Sequence, residues 1–171
     1  MYRKIVIPLD GSKLAECVLP HLENMTRGSG TEEVTLVRVT EHITRYVPLS
    51  GPTFASSSQL AREPSGAPRH KSEIPVHLNR KQVQAQRYLD KIAKQLKKKR
   101  GKVKVLTEVP QGNPAEEIAS VVKRAGADLI LMASHGRSGV SRWAYGSVAD
   151  KIFRASSVPV LMVKCGSTAG I

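Results

Sequence analysis

The chain is poor in aromatic residues and cysteines, and each shortage argues against a class of function. Aromatic side chains make up 4% of the 171 residues, too few for the stacking platforms that read single-stranded nucleic acid. The two cysteines, Cys17 and Cys165, lie far apart in the sequence and suggest neither a disulfide framework nor a metal site. We therefore expect both thiols to be reduced.

Long apolar runs are also missing from the sequence. A membrane-spanning helix needs roughly 18–20 apolar residues, whereas the longest runs here, Leu129–Ala133 and Val158–Val163, have the length of strands. The first residues, MYRKIVIPLDGS, do not resemble a secretory signal peptide, because charged residues stand beside a very short apolar stretch. We expect a cytoplasmic protein without membrane insertion.

Several catalytic signatures are absent. The sequence has no G-x-x-x-x-G-K-[ST] segment, no G-x-G-x-x-G after its first predicted strand, and no Ser/His/Asp or Cys/His set at the expected turns. His135 has no second metal ligand at a suitable spacing, so no metal site is expected. Because fast phosphoryl transfer needs an oriented nucleophile, we expect any such activity to be slow and assign no catalytic residue.

Positive charge, in contrast, is abundant. Lysine and arginine number 27 against 14 acidic residues, a formal charge of +13. Such an excess marks either a solvated basic surface or a surface that attracts polyanions. Part of it has a structural explanation, since cations stabilise the C-terminal end of a helix. Seven of these residues crowd one window: Lys94, Lys97, Lys98, Lys99, Arg100, Lys102 and Lys104.

Strand-like and helix-like segments alternate along the chain. The strand-like segments are Lys4–Leu9, Val34–Val39, Val103–Val109, Leu129–Ser134 and Val158–Val163. Helical spacing of apolar residues predicts helices over Leu14–Met25, Gln82–Leu96, Pro114–Ala125 and Ser147–Ala155. This alternation predicts one α/β domain with a doubly wound, five-stranded parallel sheet, Rossmann-like, with helices on both faces and strand order 3-2-1-4-5.

Proline and glycine refine this prediction. Pro20 should kink the first helix or loosen its middle. Asn113 should cap the third helix, with Pro114 at its first position and Gly126 after its end. Residues 43–81 are rich in proline and serine and are interpreted as a flexible insertion in the single domain, 1–171. Since Pro159 cannot donate to a central ladder, the last strand should lie at an edge, where pairing with a second subunit would cover it.

Open α/β sheets bind ligands beyond the carboxyl ends of their strands. Asp10, Val39 and the segment Ser134–Gly139 follow three such ends, and Gly146-Ser147 opens the last helix. Glycines let backbone N–H groups approach a phosphate, and a helix N-terminus adds partial positive charge. A Gly-Ser pair at a helix start is often only a cap, however, and Asp10 can simply cap the helix that follows it.

Three stretches resemble the universal stress protein family: IVIPLDGS, GNPAEEI and ADLILMASHGRSGVSRWAYGSVADKIFRASSVPVLMVK. The resemblance covers nearly the whole chain except the insertion. Nucleotide-binding members carry G-x-x-G, nine residues, then G-[ST]. Here the spacing is intact from Ala133 through Gly136 to Gly146-Ser147, with Ala133 in place of the first glycine. The added methyl group crowds the phosphate position without blocking it.

The resemblance implies a stress-response protein that binds ATP, AMP or ADP with Mg²⁺ and forms a homodimer through Val158–Val163. Such a protein would act as a regulatory switch toward a protein partner, with the insertion as the segment that responds. A slow ATPase at the same site, or a polyanion-binding protein using Lys94–Lys104, remains an alternative. The implied nucleotide-binding residues are Pro8, Asp10, Val39, Met132, Ala133, Ser134, His135, Gly136, Arg137, Ser138, Gly139, Gly146, Ser147 and Val148.

Overall fold

Short runs of aliphatic residues form one parallel sheet in the computed structural model. The structure describes residues 2–26, 30–40, 76–99, 103–134 and 146–164, and side chains of the third range from residue 80. The strands are β1 (Lys4–Pro8), β2 (Glu33–Val37), β3 (Lys104–Glu108), β4 (Leu129–Ala133) and β5 (Val160–Val163). Their order across the sheet is β3-β2-β1-β4-β5, which confirms the predicted topology.

Four α-helices cover both faces of this sheet: α1 (Val18–Met25), α2 (Val76–Lys99), α3 (Pro114–Ala125) and α4 (Ser147–Ala155). Side chains of α1 and α2 pack with one set of strand residues, including Ile7, Leu36 and Leu131. Side chains of α3 and α4 pack on the opposite face with Val6 and Ile130. The alternation of side chains along each strand therefore supplies two cores. All five residues of β4 are buried.

The predicted ends of α3 are confirmed. Asn113 accepts a hydrogen bond from the Ala115 N–H at 3.1 Å, and Pro114 occupies the first turn. Gly126 follows the helix with φ of 59°, the left-handed conformation that glycine adopts without strain. These signals lie within a few residues of the structure they specify, which is why the sequence predicts them well.

The predicted kink at Pro20 is wrong. A 3₁₀ turn spans Ala15–Cys17 and α1 begins at Val18, so Pro20 lies in the first turn of the α-helix. A first-turn residue has no intrahelical acceptor for its N–H, and a proline there removes nothing the helix uses. The proline therefore marks the beginning of the helix and does not bend its middle.

Two further expectations need correction. The second helix begins at Val76, directly after Pro75, so residues 76–81 are helical and do not belong to the predicted insertion; residues 41–75 lie outside the described ranges. Cys17 is disulfide-bonded, so the expectation of a reduced thiol there is wrong. Residues far apart in the sequence can lie close together in this fold, since Cys17 and Val163 pack against the same core. Cys165 itself lies outside the described residues.

Candidate functional site

A cavity of about 280 Å³ opens at the carboxyl ends of β1, β2 and β4. The beginnings of α3 and α4 close its other sides, and most of its lining is apolar. Its lining residues are Pro8, Leu9, Asp10, Ala15, Val37, Val39, Pro114, Ile118, Met132, Ala133, Gly146, Ser147, Val148 and Ala149. An apolar cleft with few polar groups, at the edge where a doubly wound sheet binds its ligands, is typical of a small-molecule site.

The structure brings together eight of the residues that the sequence selects for the site. The eight that line the cavity are Pro8, Asp10, Val39, Met132, Ala133, Gly146, Ser147 and Val148. Ser134 is buried beside the cavity and is not among its lining residues. The other five, His135, Gly136, Arg137, Ser138 and Gly139, lie outside the described residues.

The turn after β1 shapes one side of the cavity. Asp10 Oδ1 accepts a hydrogen bond from the Ser12 N–H at 2.8 Å, and Ser12 Oγ accepts one from the Ala15 N–H at 3.1 Å. Gly11 between them has φ of 87°, and a Cβ there would lie 2.8 Å from Cζ of Arg38. A larger residue would strain this left-handed backbone and would displace the end of the Arg38 side chain.

The beginning of α4 forms the opposite side. Ser134 anchors it through its backbone, because its carbonyl accepts a hydrogen bond from the Gly146 N–H at 2.9 Å, and its N–H donates to the Val163 carbonyl at 2.9 Å. The N-cap residue is Gly146, so it has no side chain that could cap α4. The first N–H groups of a helix have no intrahelical acceptor, and Ser147 and Val148, which carry two of them, line the cavity at the positive end of the helix dipole.

Six further residues that line the cavity were not selected from the sequence: Leu9, Ala15, Val37, Pro114, Ile118 and Ala149. A parallel bridge between Thr40 and Gln111 holds the loop after β3 against the end of β2 and so brings Pro114 and Ile118 to the cavity. No sequence motif predicts this pairing. Val37 was accessible to prediction, because it lies two residues before Val39 and alternate residues of a strand share a face.

A larger cavity, of about 440 Å³, lies between α3 and α4. Lys151 and Arg154 line it together with Ala155 at the last turn of α4. The C-terminal end of a helix carries partial negative charge, so the backbone at this end does not favour an anion. The beginning of α3 also lines this larger cavity, but there Asn113 caps the helix and the Glu116 carboxylate repels an anion. The cavity at the strand ends is therefore the better candidate for a phosphate-bearing ligand.

Arg38 and Tyr88 link the strand ends to α2. The guanidinium carbon of Arg38 lies 5.1 Å from the ring centroid of Tyr88, within the range of a cation–π interaction. The Tyr88 hydroxyl is buried, and none of the described residues meets it in good hydrogen-bonding geometry. Burial raises the pKa of this hydroxyl, the negative charges of Glu16 and Asp10 raise it further, and Arg38 opposes them.

We expect Tyr88→Phe to remove an alkaline loss of stability. Because the folded-state pKa of Tyr88 is raised above 10.0, the unfolded chain loses this proton first, and the stability of the folded protein falls as pH rises above that value. One such group contributes a slope of up to about 1.4 kcal/mol per pH unit. Urea unfolding at pH 7 and pH 11 measures the difference, and the variant should lose less stability between them. Equal losses in both proteins would contradict this assignment.

Two cations of the basic window that the sequence singles out are paired with carboxylates. Lys99 pairs with Glu23 at 2.7 Å, and Lys104 pairs with Glu33 at 2.8 Å. Arg100 and Lys102 lie outside the described residues. Of the remaining lysines, Lys94 and Lys98 are part of a longer arrangement on α2.

The described ranges contain neither a candidate membrane span nor a candidate metal cluster. No helix there is both long enough and apolar enough to span a membrane. In the same part of the chain, no three His, Cys, Asp or Glu side chains are grouped so that they could hold a metal ion.

Comparison with known proteins gives one consistent family. The sequence model of the universal stress protein family matches residues 1–164. The universal stress protein MJ0577 of Methanocaldococcus jannaschii is 30% identical over 164 residues, which cover 96% of both chains. Its solved structure superposes with a TM-score of 0.71 over 98% of this chain and 99% of that one, at 26% identity.

Two more distant structures show the same fold. A universal stress protein family protein from Arabidopsis thaliana, solved with AMP bound, gives a TM-score of 0.59 at 16% identity, with 96% of this chain and 93% of that chain covered. A universal stress protein in complex with cAMP gives 0.58 at 15% identity, with 96% and 98% covered.

Proposed function

The chain belongs to the universal stress protein family, and on that premise we propose that it binds an adenine nucleotide in the cavity at the carboxyl ends of β1 and β4. The observation that carries the proposal is that an apolar cleft meets a helix N-terminus whose N-cap residue is the glycine Gly146. The cleft suits an aromatic base and its sugar, whereas the helix N-terminus suits an anion.

The base and ribose are assigned to the side formed by β1 and β2. Val37, Val39 and Ile118 give an apolar surface there, and the Asp10 carboxylate can accept hydrogen bonds from ribose hydroxyls. At about 280 Å³, the cavity is near the lower limit of roughly 300 Å³ for small-molecule sites. We therefore expect the phosphates to extend out of it, toward α4.

The phosphates are assigned to the first turn of α4. The amides of Ser147 and Val148 and the Ser147 hydroxyl supply hydrogen-bond donors in this proposal, and the helix dipole supplies favourable potential. Ala133 lines the same cavity and replaces none of these donors. Its methyl group is accommodated at the end of β4, where the residue is only 8% exposed.

The choice of an adenine nucleotide also draws on structures that share this fold. AMP is bound in the Arabidopsis protein and cAMP in the other universal stress protein, so the fold can hold this ligand class. ATP, AMP and ADP are all candidates here. Mg²⁺ would enter with the nucleotide, since this ion is usually held by substrate phosphates, water molecules and few protein groups.

Hydrogen exchange tests where the nucleotide binds. We expect saturating ATP to slow exchange at the amides of Ser147, Val148 and Ala149 and at the turn Asp10–Ser12, because the ligand contacts both sides of the cavity. Amides in the second half of α2 serve as an internal control and should not change. Unchanged exchange at the beginning of α4 would overturn the proposed site.

Regulation belongs to the same proposal. A cytoplasmic stress-response protein that senses a nucleotide must bind it with different affinities in two conformations, because a ligand shifts an equilibrium only through differential affinity. A protein partner would then recognise one of the two conformations.

We also propose a homodimer formed through β5. This strand pairs with β4 on one side, its four residues are all apolar, and Leu161 is 43% exposed. An uncharged edge strand invites pairing with another chain, and antiparallel pairing with a second β5 would cover it.

Leu161→Lys is expected to convert the dimer to monomers. A lysine on an edge strand opposes pairing by charge repulsion across a symmetric interface and by desolvation of the ammonium group. Val83→Lys is the matched control, because Val83 is an exposed valine, 39% accessible, on α2. Sedimentation velocity at micromolar concentration measures both variants. A monomeric parent protein, or equal dissociation of the two variants, would contradict the proposed interface.

A further inference from the structure

The outward face of α2 carries a continuous row of cations. Arg80, Arg87, Lys91, Lys94 and Lys98 follow one another at intervals of seven, four, three and four residues. At 3.6 residues per turn, these intervals place all five within an arc of about 60°. We call this row the α2 basic stripe. At 1.5 Å per residue, it is about 27 Å long.

All five side chains of the α2 basic stripe are exposed, and none of them forms an ion pair with a described residue. The single acidic residue of α2, Asp90, accepts a hydrogen bond from Gln86 at 2.8 Å. In contrast to Lys99, the five cations therefore have no ion-pair partner in the part of the chain that the structure describes.

The arrangement is unfavourable for the helix itself. Arg87 and Lys91, Lys91 and Lys94, and Lys94 and Lys98 are like charges three or four residues apart, and such pairs destabilise a helix. Mixed signs would keep this face soluble without the repulsion. A row of repelling charges gains stability when an extended anion lies along it.

We propose that the α2 basic stripe binds the phosphate backbone of double-helical nucleic acid without reading its sequence. The duplex carries about one charge per 1.7 Å of its axis, and neutralising its phosphates releases condensed counterions. A straight row fixed on a helix matches such a rigid line of charge. This surface is separate from the nucleotide cavity, because none of its five residues lines that cavity.

The structure favours a duplex over single strands and over membranes. Single-strand binding uses exposed aromatic rings, but the stripe has none, and the nearby Tyr88 has a buried hydroxyl and a ring engaged by Arg38. A helix that lies in a membrane surface inserts an apolar face. The apolar face of α2, with Leu89, Ile92 and Leu96, is buried in the core.

The test compares two triple variants of equal charge. Arg87→Gln/Lys91→Gln/Lys94→Gln removes the middle of the stripe and keeps good helix formers. Lys123→Gln/Lys151→Gln/Lys164→Gln is the control, because these exposed lysines lie on α3, on α4 and after β5. Circular dichroism confirms folding of both, and the first variant should melt at a higher temperature at low salt because the repulsion is relieved.

Fluorescence anisotropy measures the affinity for duplex DNA and duplex RNA as a function of salt concentration. Duplexes of about 16 base pairs are twice as long as the stripe at 3.4 Å per base pair. The parent protein should bind both duplexes, with a slope of log K against log salt of about −3 to −4.5 if three to five phosphates are contacted. The stripe variant should lose at least about tenfold in affinity and about 3 in slope. The control should lose little.

Three outcomes would overturn the proposal: no duplex binding by the parent protein at low salt, equal losses in the two variants, or binding to phosphatidylserine vesicles that exceeds binding to the duplex. Equal losses would assign the attraction to net charge alone. The first variant should keep the ATP affinity of the parent protein, so the result is independent of the proposed nucleotide site.

Discussion

Ser147→Asp is expected to lower the affinity for ATP by about 100-fold or more while leaving the protein at least as stable. The new carboxylate would lie at the first position of α4, beside the amides assigned to the phosphates. Juxtaposed like charges cost several kcal/mol, and every 1.4 kcal/mol is about tenfold in affinity. A carboxylate also stabilises a helix N-terminus by about 0.3–1 kcal/mol.

Because Ser147→Asp should weaken ATP binding but not the folded protein, a loss of binding cannot be explained by unfolding. Ser147→Ala is the control, since it removes the hydroxyl without adding charge, and the loss of one hydrogen bond of about 1 kcal/mol should lower affinity by less than about tenfold. Equilibrium binding and urea unfolding of both variants give the two quantities. Similar affinities for Ser147→Asp and Ser147→Ala would show that no phosphate lies at the beginning of α4.

Leu131→Ala is expected to destabilise the protein without affecting ATP binding. The free energy of unfolding should fall by about 2–5 kcal/mol, and the ATP affinity of the folded protein should not change. Leu131 is 0% exposed in the middle of β4, where it packs with the α1 and α2 face of the core. Truncation leaves a cavity that the surrounding strands cannot fill. The residue does not line the nucleotide cavity, whereas its neighbours Met132 and Ala133 do.

Leu106→Ala is the matched control for this loss. Leu106 lies on β3, an edge strand of the sheet, and is only partly buried. The same truncation there removes less apolar contact and should lower the free energy of unfolding by less. Urea unfolding at one protein concentration measures both variants. If Leu131→Ala lowers the free energy of unfolding no more than Leu106→Ala does, the complete burial of β4 is contradicted.

The fold was predictable because its signals are local or periodic. Apolar runs of strand length alternate with helical spacing, and Asn113, Pro114 and Gly126 specify the ends of α3 from adjacent positions. Pro159 at the beginning of the last strand indicated an edge, and β5 is an edge strand. Each of these inferences needs only residues that are neighbours in the sequence.

Features that depend on distant contacts were not predictable in the same way. The sequence alone predicts a kink at Pro20, because it does not reveal the 3₁₀ turn that precedes α1. The contribution of Ile118 to the cavity depends on the pairing of Thr40 with Gln111. Arg38 and Tyr88 are fifty positions apart in the chain, and no spacing rule joins them. The stripe on α2 was hidden by the denser run of lysines after it, of which Lys99 is neutralised by Glu23.

Calorimetric titration of ATP with Mg²⁺ into the parent protein and into Ser147→Asp decides whether the cavity holds a nucleotide. We expect the parent protein to bind one nucleotide per chain with micromolar affinity and the variant to bind at least about 100-fold more weakly. Absence of binding to the parent protein, or equal binding by both proteins, would contradict the proposed nucleotide site.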